Sequence, residues 1–178
     1  EPEKRVKPVK PLVLLTTVNA KYIHTALALY ALRSYCRQEL PQLPAALRVE
    51  EFHINQEPGW IFGQIYKLRP KVAAFSVNIW NLQVTLELVD RLKKVAPETI
   101  IVLGGPEVSA GTEELLQKEP AVDYVVRGEG EETFCELLRF LLNGEGSPEG
   151  ILGLAYREGT KVRVNPPRPP IKEWPFPS

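Results

Sequence analysis

The chain has 178 residues, and its 22 Lys and Arg balance its 22 Asp and Glu, so the formal net charge is zero. This length is enough for one domain with a substantial core. A balanced charge gives no electrostatic reason to expect a nucleic acid or an anionic membrane surface as a partner. The longest apolar runs, such as residues 100–103, fall far short of the ~20 residues that span a bilayer.

The compartment is predicted from the N-terminal residues and the cysteines. Residues 1–10 are charged and interrupted by proline, without the apolar segment of a secretory signal. Cys36 and Cys135 lie in helix-like patterns, and we interpret them as free thiols in a reducing compartment. We therefore expect a cytoplasmic protein. Two cysteines are too few for a four-thiolate zinc site or a cubane iron–sulfur cluster.

Short apolar runs alternate along the chain with segments of helical periodicity. In chain order, the pattern predicts a strand at 12–17, a helix at 25–39, a strand at 47–54, a helix at 60–68 and a strand at 71–77. It continues with a helix at 82–95, a strand at 99–103, a helix at 112–118, a strand at 122–126 and a helix at 131–143. Five successive strand–helix units predict an α/β domain with a parallel sheet covered on both faces.

The composition of the strands predicts their order. The first, third and fourth strands are nearly continuous apolar runs, as central strands with both faces covered should be. The second strand alternates and carries Arg48, Glu50 and Glu51, which is typical of an edge. The order 2-1-3-4-5, the flavodoxin-like (Rossmann-like) three-layer arrangement, satisfies both observations. A Rossmann order would put the apolar third strand at an edge.

The pattern changes after Gly150. Residues 151–164 predict a small β-hairpin, with strands at 152–157 and 161–164 around a turn at Gly159. Residues 165–178 predict an extended arm or linker, since six of residues 166–177 are Pro. The predicted organisation is a tail at 1–10, a sheet domain at 11–150, the hairpin and the Pro-rich arm.

A ligand is expected beyond the carboxyl ends of the strands, in the crevice between the loops that follow strands one and three. Four loops at this edge are rich in Asn, aromatic residues and Gly. They hold the candidate binding residues Asn19, Ala20, Lys21, Tyr22, His24, Thr25, Ser76, Val77, Asn78, Ile79, Trp80, Gly104, Gly105, Pro106, Glu107, Val108, Ser109, Gly128, Glu129 and Gly130.

Gly104 and Gly105 follow a buried strand and remove two side chains from the ligand edge, so that backbone can approach a flat or bulky group. The other interpretation is a tight turn. On the first interpretation, Gly105→Trp would abolish ligand binding and leave folding nearly intact. Ser76 is either a donor to a ligand or bonded to nearby backbone, and Trp80 either stacks on a planar ligand or covers a helix end.

Several site classes are absent from the sequence. There is no G-x-G-x-x-G after the first strand and no Walker pattern. Thr16, Thr17 and Ser76 stand where a phosphoacceptor receiver domain would need acids. No His, Cys or paired carboxylate at ligand spacing accompanies His24, which argues against a protein-only metal site and for a structural or peripheral histidine.

Four segments resemble the N-terminal cobalamin-binding domain of cobalamin-dependent radical S-adenosylmethionine proteins. They are residues 19–25, 75–81, 102–109 and 123–131, and the resemblance extends over residues 11–178. In one departure, the Asp-x-His-x-x-Gly pattern of methionine-synthase-like domains is missing around His24. In another, the cluster motif C-x-x-x-C-x-x-C is nowhere in this chain.

The resemblance implies that the chain binds cobalamin and catalyses nothing alone. Ser76 and residues 104–109 would line the pocket for the nucleotide tail, and residues 19–24 and 78–80 would meet the corrin. The Pro-rich arm would lead to a radical S-adenosylmethionine barrel of the same polypeptide, with its own 4Fe-4S cluster and S-adenosylmethionine. The parent protein would be a methyltransferase or related radical catalyst.

Two other functions stay open at this point. One is a flavin- or nucleotide-binding flavodoxin-like domain, which should carry a loop that cradles phosphate. The other is an interaction module without a cofactor that uses the Pro-rich arm, in which side chains should close the crevice over Gly104 and Gly105.

Overall fold

A computed structural model describes residues 9–21 and 26–170, and within them seven strands form one sheet. The strands are β1 (Leu12–Asn19), β2 (Ala46–His53), β3 (Val72–Ser76), β4 (Ile100–Gly104), β5 (Tyr124–Val126), β6 (Leu154–Glu158) and β7 (Lys161–Val164). The helices are α1 (Leu27–Glu39), α2 (Pro58–Leu68), α3 (Leu82–Val95), α4 (Pro106–Ser109), α5 (Thr112–Lys118) and α6 (Glu131–Asn143). A 3₁₀ turn covers Pro148–Gly150.

The sheet has the order β2-β1-β3-β4-β5-β6-β7, so the predicted order of the first five strands is confirmed. These five strands pair in parallel, and the charged β2 is the edge, as its composition predicts. The predicted hairpin is β6 and β7, which continue the same sheet by antiparallel pairing of β6 with β5. The hairpin therefore covers β5, which would otherwise be an exposed edge.

The core lies on both faces of the sheet because alternate side chains of each strand point to opposite sides. One face, with Leu14, Ala73 and Leu103, packs mainly against α2, α3 and α5. The other face, with Leu15 and Val102, packs against α1 and α6. This second face matters for the site, because α1 and α6 leave room above it near the ends of the strands.

Most strand bounds and the starts of α1 and α2 differ from the predicted ones by one or two residues, and two differences have reasons visible in the structure. The fifth strand begins at Tyr124 and not at residue 122, and at Asp123 a side chain accepts a backbone N–H of β4. Its carboxylate accepts the Ile101 N–H at 2.8 Å and pairs with Lys93 Nζ at 2.7 Å. The short helix α4 was predicted as loop; Pro106 at its first position presets a helical φ.

The beginning of the Pro-rich arm is tied to the domain. Asn165 Nδ2 donates to the carbonyl oxygens of Pro148 and Ile151 at 2.7 and 2.8 Å. The Gly153 N–H donates to Pro166 O at 2.8 Å. Arg168 then reaches α6. The rest of the predicted arm, residues 171–178, lies outside the described residues.

Both cysteines are free and buried, which agrees with the prediction of free thiols. Cys36 Sγ of α1 lies 3.0 Å from Cys135 Sγ of α6. Hydrogen bonding to the Cys135 thiol and then burial raise the pKa of Cys36 well above its ordinary value. In the ranges 9–21 and 26–170, no helix has both the length and the apolar character needed to cross a membrane.

Candidate functional site

A pocket of about 190 Å³ opens between the sheet and helices α1 and α6, at the carboxyl ends of β3, β4 and β5. Most of its lining is apolar. The strands and the β4 turn contribute Leu15, Ala74, Phe75, Ser76, Val102, Leu103, Gly104, Gly105 and Val126. The helices and the loop after β5 contribute Ala28, Leu29, Leu32, Gly128, Glu129, Gly130, Glu131 and Phe134.

The pocket exists because small residues follow one another on this face of the sheet. Ala74 and Ser76 alternate along β3 on the α1/α6 side, and Gly104 occupies the equivalent end of β4. Ser76 and Gly104 are register partners across the two strands. A Cβ on Gly104 would meet only Val126 atoms at 3.6 and 3.9 Å, which is ordinary contact. The glycine therefore keeps space free inside the pocket.

Gly105 has a different role, and the prediction that it could become Trp without loss of folding is wrong. Its φ is +107°, which L side chains rarely adopt, and a Cβ there would lie 2.4 Å from Val77 O. The Val77 backbone occupies the space that a side chain would need. Gly105 is thus required by the close approach of the β3 and β4 ends, independently of any ligand.

The turn after β5 forms the rim of the pocket on the α6 side. Gly128 has φ +71° and is exposed, and Gly130 precedes the first residue of α6. Ser109 joins this turn to the turn after β4, since its hydroxyl donates to Gly105 O at 2.9 Å and accepts the Gly128 N–H at 3.3 Å. The fourth and fifth loops are therefore held as one unit.

The Asn81 side chain fixes the loop after β3 to the ends of β1 and β3. Its side chain is fully buried, and its Nδ2 lies within hydrogen-bonding distance of Thr17 Oγ1, Val18 O and Ser76 O, at 3.0–3.2 Å. Its Oδ1 accepts the Asn78 N–H at 2.8 Å. This one amide fixes the ends of β1 and β3 relative to each other. It was not singled out as a site residue from the sequence.

The loop after β1 is held by an acidic residue of the neighbouring strand. The Glu51 carboxylate accepts hydrogen bonds from Asn19 Nδ2 at 2.7 Å and from the Ala26 N–H at 2.8 Å. A hydrogen bond from Tyr30 to the same carboxylate raises the pKa of the Tyr30 phenol. Glu51 therefore ties Asn19, at the end of β1, to Ala26, which precedes α1.

The structure brings six of the candidate residues together in the pocket: Ser76, Gly104, Gly105, Gly128, Glu129 and Gly130. Eleven others lie at the same sheet edge and do not line it: Asn19, Ala20, Lys21, Val77, Asn78, Ile79, Trp80, Pro106, Glu107, Val108 and Ser109. Tyr22, His24 and Thr25 lie outside the described residues.

Two of those eleven have large apolar side chains that are open to solvent. Ile79 is 77% exposed and Trp80 52% exposed, at the tip of the loop after β3. By contrast, Val77 and Val108 are buried in the core and stabilise the loops from inside. An exposed Trp beside an exposed Ile suits contact with a flat apolar surface.

Sequence reasoning missed the helical walls of the pocket. Leu29 and Leu32 of α1 and Phe134 of α6 were assigned only to helices. Glu131 was placed in the loop after the fifth strand and in the segment 123–131 but not among the candidate binding residues. The alternation of Ala74, Ser76 and Gly104 on one face was a usable signal, since three small residues on one face leave a gap above the sheet. Which helices would bound that gap depends on tertiary packing.

The lining suits a large, mostly neutral ligand. The volume is below the ~300 Å³ of typical small-molecule sites, so the pocket would receive one part of a bigger molecule. The same edge of the sheet carries Asn78 and the exposed Trp80 outside the pocket, and an Asn side chain can hydrogen-bond neutral amides. A cobalamin, whose nucleotide base is planar and whose corrin arms are neutral amides, fits this set of residues.

The fold and the pocket together define an α/β cofactor-binding domain with its site at the carboxyl edge of the parallel strands. A comparison with protein-family models gives a match to the B12 binding domain over residues 13–138. The chain belongs to the B12-binding domain family.

Known relatives are larger proteins. An uncharacterised methyltransferase of Pyrococcus horikoshii, PH0819, is 38% identical over 117 residues, which cover 64% of this chain and 25% of that protein. The cobalamin-dependent radical SAM methyltransferase TokK of Streptomyces tokunonensis is 29% identical over 140 residues, 76% of this chain and 20% of TokK.

Two solved structures share the fold. The cobalamin-dependent S-adenosylmethionine radical enzyme OxsB, with aqua-cobalamin and S-adenosylmethionine bound, superposes with a TM-score of 0.74 at 21% identity. The match covers 89% of this chain and 22% of OxsB. The radical S-adenosylmethionine methyltransferase TsrM from Kitasatospora setae superposes with a TM-score of 0.69 at 22% identity, covering 88% of this chain and 30% of TsrM. The chain thus spans a quarter or less of the length of PH0819, TokK and OxsB.

Proposed function

We propose that the chain is the cobalamin-binding module of a larger radical S-adenosylmethionine enzyme, a methyltransferase or related radical catalyst. The observation that carries the proposal is the pocket above Ser76 and Gly104, whose lining lies within the residues that match the B12 binding domain. Its small, apolar lining suits the planar base of the nucleotide tail. When bound, cobalamin would supply its cobalt as a carrier of a methyl group or of electrons.

In this proposal, the residues of the chain hold and orient the cofactor. Ser76, Gly104 and the turn at Gly128–Gly130 would surround the nucleotide tail between α1 and α6. Residues 19–21 and 78–80 would meet the corrin at the open edge, where Asn side chains can bond its amide arms. Asn81 and Glu51 would act as positioning residues, because each fixes the base of one of these loops.

The remaining chemistry is assigned to another part of the enzyme. A barrel that binds a 4Fe-4S cluster and S-adenosylmethionine would be the partner of this module in the same cytoplasmic polypeptide. The names of TokK, OxsB and TsrM, all radical S-adenosylmethionine proteins, support this partner. The anchored start of the Pro-rich arm would set the direction in which the chain leaves the module.

The test is binding of hydroxocobalamin to the purified chain, followed by gel filtration with ultraviolet–visible spectra of the protein peak. We expect corrin absorbance to co-elute at about one equivalent. Absence of corrin, both for this chain and for a polypeptide that continues past Ser178, would contradict the proposal. Corrin retained only by the longer polypeptide would instead show that the barrel completes the site.

A matched pair of variants locates the site. Gly104→Leu should reduce cobalamin affinity at least tenfold, because its side chain would occupy the pocket while its Cβ meets only ordinary contacts. Gly63→Leu is the control, since nothing lies within 4 Å of a Cβ at Gly63 on α2, away from the pocket. Both variants should keep the unfolding temperature near that of the wild type. Equal cobalamin affinity in the two variants would remove the pocket from the proposal.

A further inference from the structure

The pocket contains a buried oxygen without a partner among the described residues. Glu131, the first residue of α6, lines the pocket, and its Oε2 is inaccessible to solvent and makes no hydrogen bond. The charged side chains that act on it, Glu129 and Glu132, are both acidic. A buried acceptor with no donor is uncommon in folded proteins and calls for an explanation.

The surroundings of the Glu131 carboxyl disfavour its charged form in the ligand-free chain. Burial raises the pKa of Glu131, and the repulsion from Glu129 and Glu132 acts in the same direction. A hydrogen bond from the Glu131 backbone N–H lowers this pKa, but the pKa stays above its ordinary value. The side chain is therefore suited to a bound molecule that brings a donor.

The chemistry of the missing donor is limited by the site. A carboxylate only accepts hydrogen bonds, and it repels phosphate. The donor must be an uncharged hydroxyl or amide group that reaches a mostly apolar pocket. In the cofactor proposed above, the nucleotide tail carries a ribose whose free hydroxyl groups can donate hydrogen bonds. Acidic residues bind ribose hydroxyls in the same way in dinucleotide sites.

We propose that the Glu131 carboxylate accepts a hydrogen bond from the ribose hydroxyl of the cobalamin nucleotide tail, an inference that rests on the function proposed above. Glu131 then determines specificity for corrinoids that carry the nucleotide. A corrinoid that lacks the nucleotide would leave Oε2 without its donor. The corrin amides are the other source of a donor, and the test separates the two.

The test compares two probes, hydroxocobalamin and aquacobinamide, which keeps the corrin amides and lacks the nucleotide. Binding is followed by spectral titration of the wild type, Glu131→Ala and Glu131→Gln. We expect Glu131→Ala to lose about tenfold or more in cobalamin affinity, the size expected for a hydrogen bond to a charged group. Its affinity for cobinamide should not change. Glu131→Gln keeps a neutral acceptor and should fall between Glu131→Ala and the wild type.

The control is Glu113→Ala, which removes the same charge from the first turn of α5, at an exposed position outside the pocket. It should leave both affinities unchanged. A second measurement is the carbon-13 titration of Glu131 by NMR. Its pKa should fall when cobalamin binds, because a hydrogen bond to the charged form favours that form.

The outcomes separate this inference from the function it rests on. If the wild type binds neither probe, the proposed function fails and this inference fails with it. If the wild type binds cobalamin and Glu131→Ala binds it equally well, only the role of Glu131 is overturned. An equal loss for both probes would place Glu131 against the corrin amides, or in the shape of the pocket, and would also overturn the ribose contact.

Discussion

Gly104 and Gly105 are neighbours in the chain, but different physical causes require them. Gly104 faces the pocket and has room for a Cβ, so its role is to leave space in the pocket. Gly105 faces the Val77 backbone with a φ of +107°, so its role is to let the ends of β3 and β4 approach each other. The sequence shows two glycines after a buried strand and cannot distinguish these roles, because the distinction depends on what lies across the sheet.

This difference gives an expectation for stability. Gly105→Ala should lower the free energy of unfolding by about 2 kcal/mol or more, since it combines backbone strain with a clash against Val77 O. Gly144→Ala is the control, because Gly144 has φ +69° and nothing within 4 Å of a Cβ. It should cost only the strain of the left-handed conformation, about 1 kcal/mol. Urea unfolding of both variants measures the difference, and equal losses would contradict the clash.

At the scale of elements, α6 has two separate functions in the structure. Its first turn borders the pocket with Glu131 and Phe134. Its outer side holds the Pro-rich arm through Arg168, whose side chain is 11% exposed. Arg168 donates to Glu132 Oε2 at 2.8 Å, Glu136 Oε2 at 2.7 Å and Thr133 Oγ1 at 2.9 Å. The arm is therefore fixed to the helix that forms one wall of the site.

Removal of this contact should release the arm. Arg168→Ala should lower the free energy of unfolding by about 1–3 kcal/mol, because two carboxylates and a hydroxyl lose a largely buried partner. Hydrogen exchange of the Gly153 amide, which donates to Pro166 O, should become faster. Arg163→Ala is the control; its exposed pair with Glu158 should contribute less than about 1 kcal/mol. Unchanged Gly153 exchange in Arg168→Ala would show that the contacts of Asn165 and Pro166 hold the arm without Arg168.

At the scale of the whole molecule, the contact between α1 and α6 couples stability to high pH. Tyr35 of α1 is buried beside α6, and burial, followed by the charges of Glu132 and Glu39, raises the pKa of its phenol to about 12. The ordinary value in the unfolded chain is about 10. Because the folded state favours the neutral phenol, its contribution to stability is complete below pH ~10 and is lost as the pH rises towards 12.

We expect the urea midpoint of the wild type to fall between pH 9 and pH 11, and Tyr35→Phe to fall less over the same range. Tyr66→Phe is the control, because Tyr66 is 40% exposed on α2. It should follow the wild type. If Tyr35→Phe and the wild type lose stability in parallel, other groups cause the alkaline transition.

Most of the architecture could be predicted because it depends on patterns within single segments. Residues 82–95, 112–118 and 131–143 were predicted with the bounds that the structure has, since their apolar stripes and the Gly144 stop are local signals. The order 2-1-3-4-5 was predictable because a strand buried on both faces must be apolar, whereas the edge strand β2 tolerates Glu50 and Glu51.

The composition and periodicity of the chain by themselves determined the α/β class, the strand order, the hairpin and the edge of the sheet at which the candidate residues were sought. The tertiary structure alone decided that the pocket lies on the α1/α6 face and that Gly105 serves the fold. It also decided that Asn81 and Glu51 hold the strand ends at this edge and that Glu131 lines the pocket. The physical reason is that these roles depend on distances between segments far apart in sequence. Asn81 meets Thr17 across 64 positions, and no local pattern contains that contact.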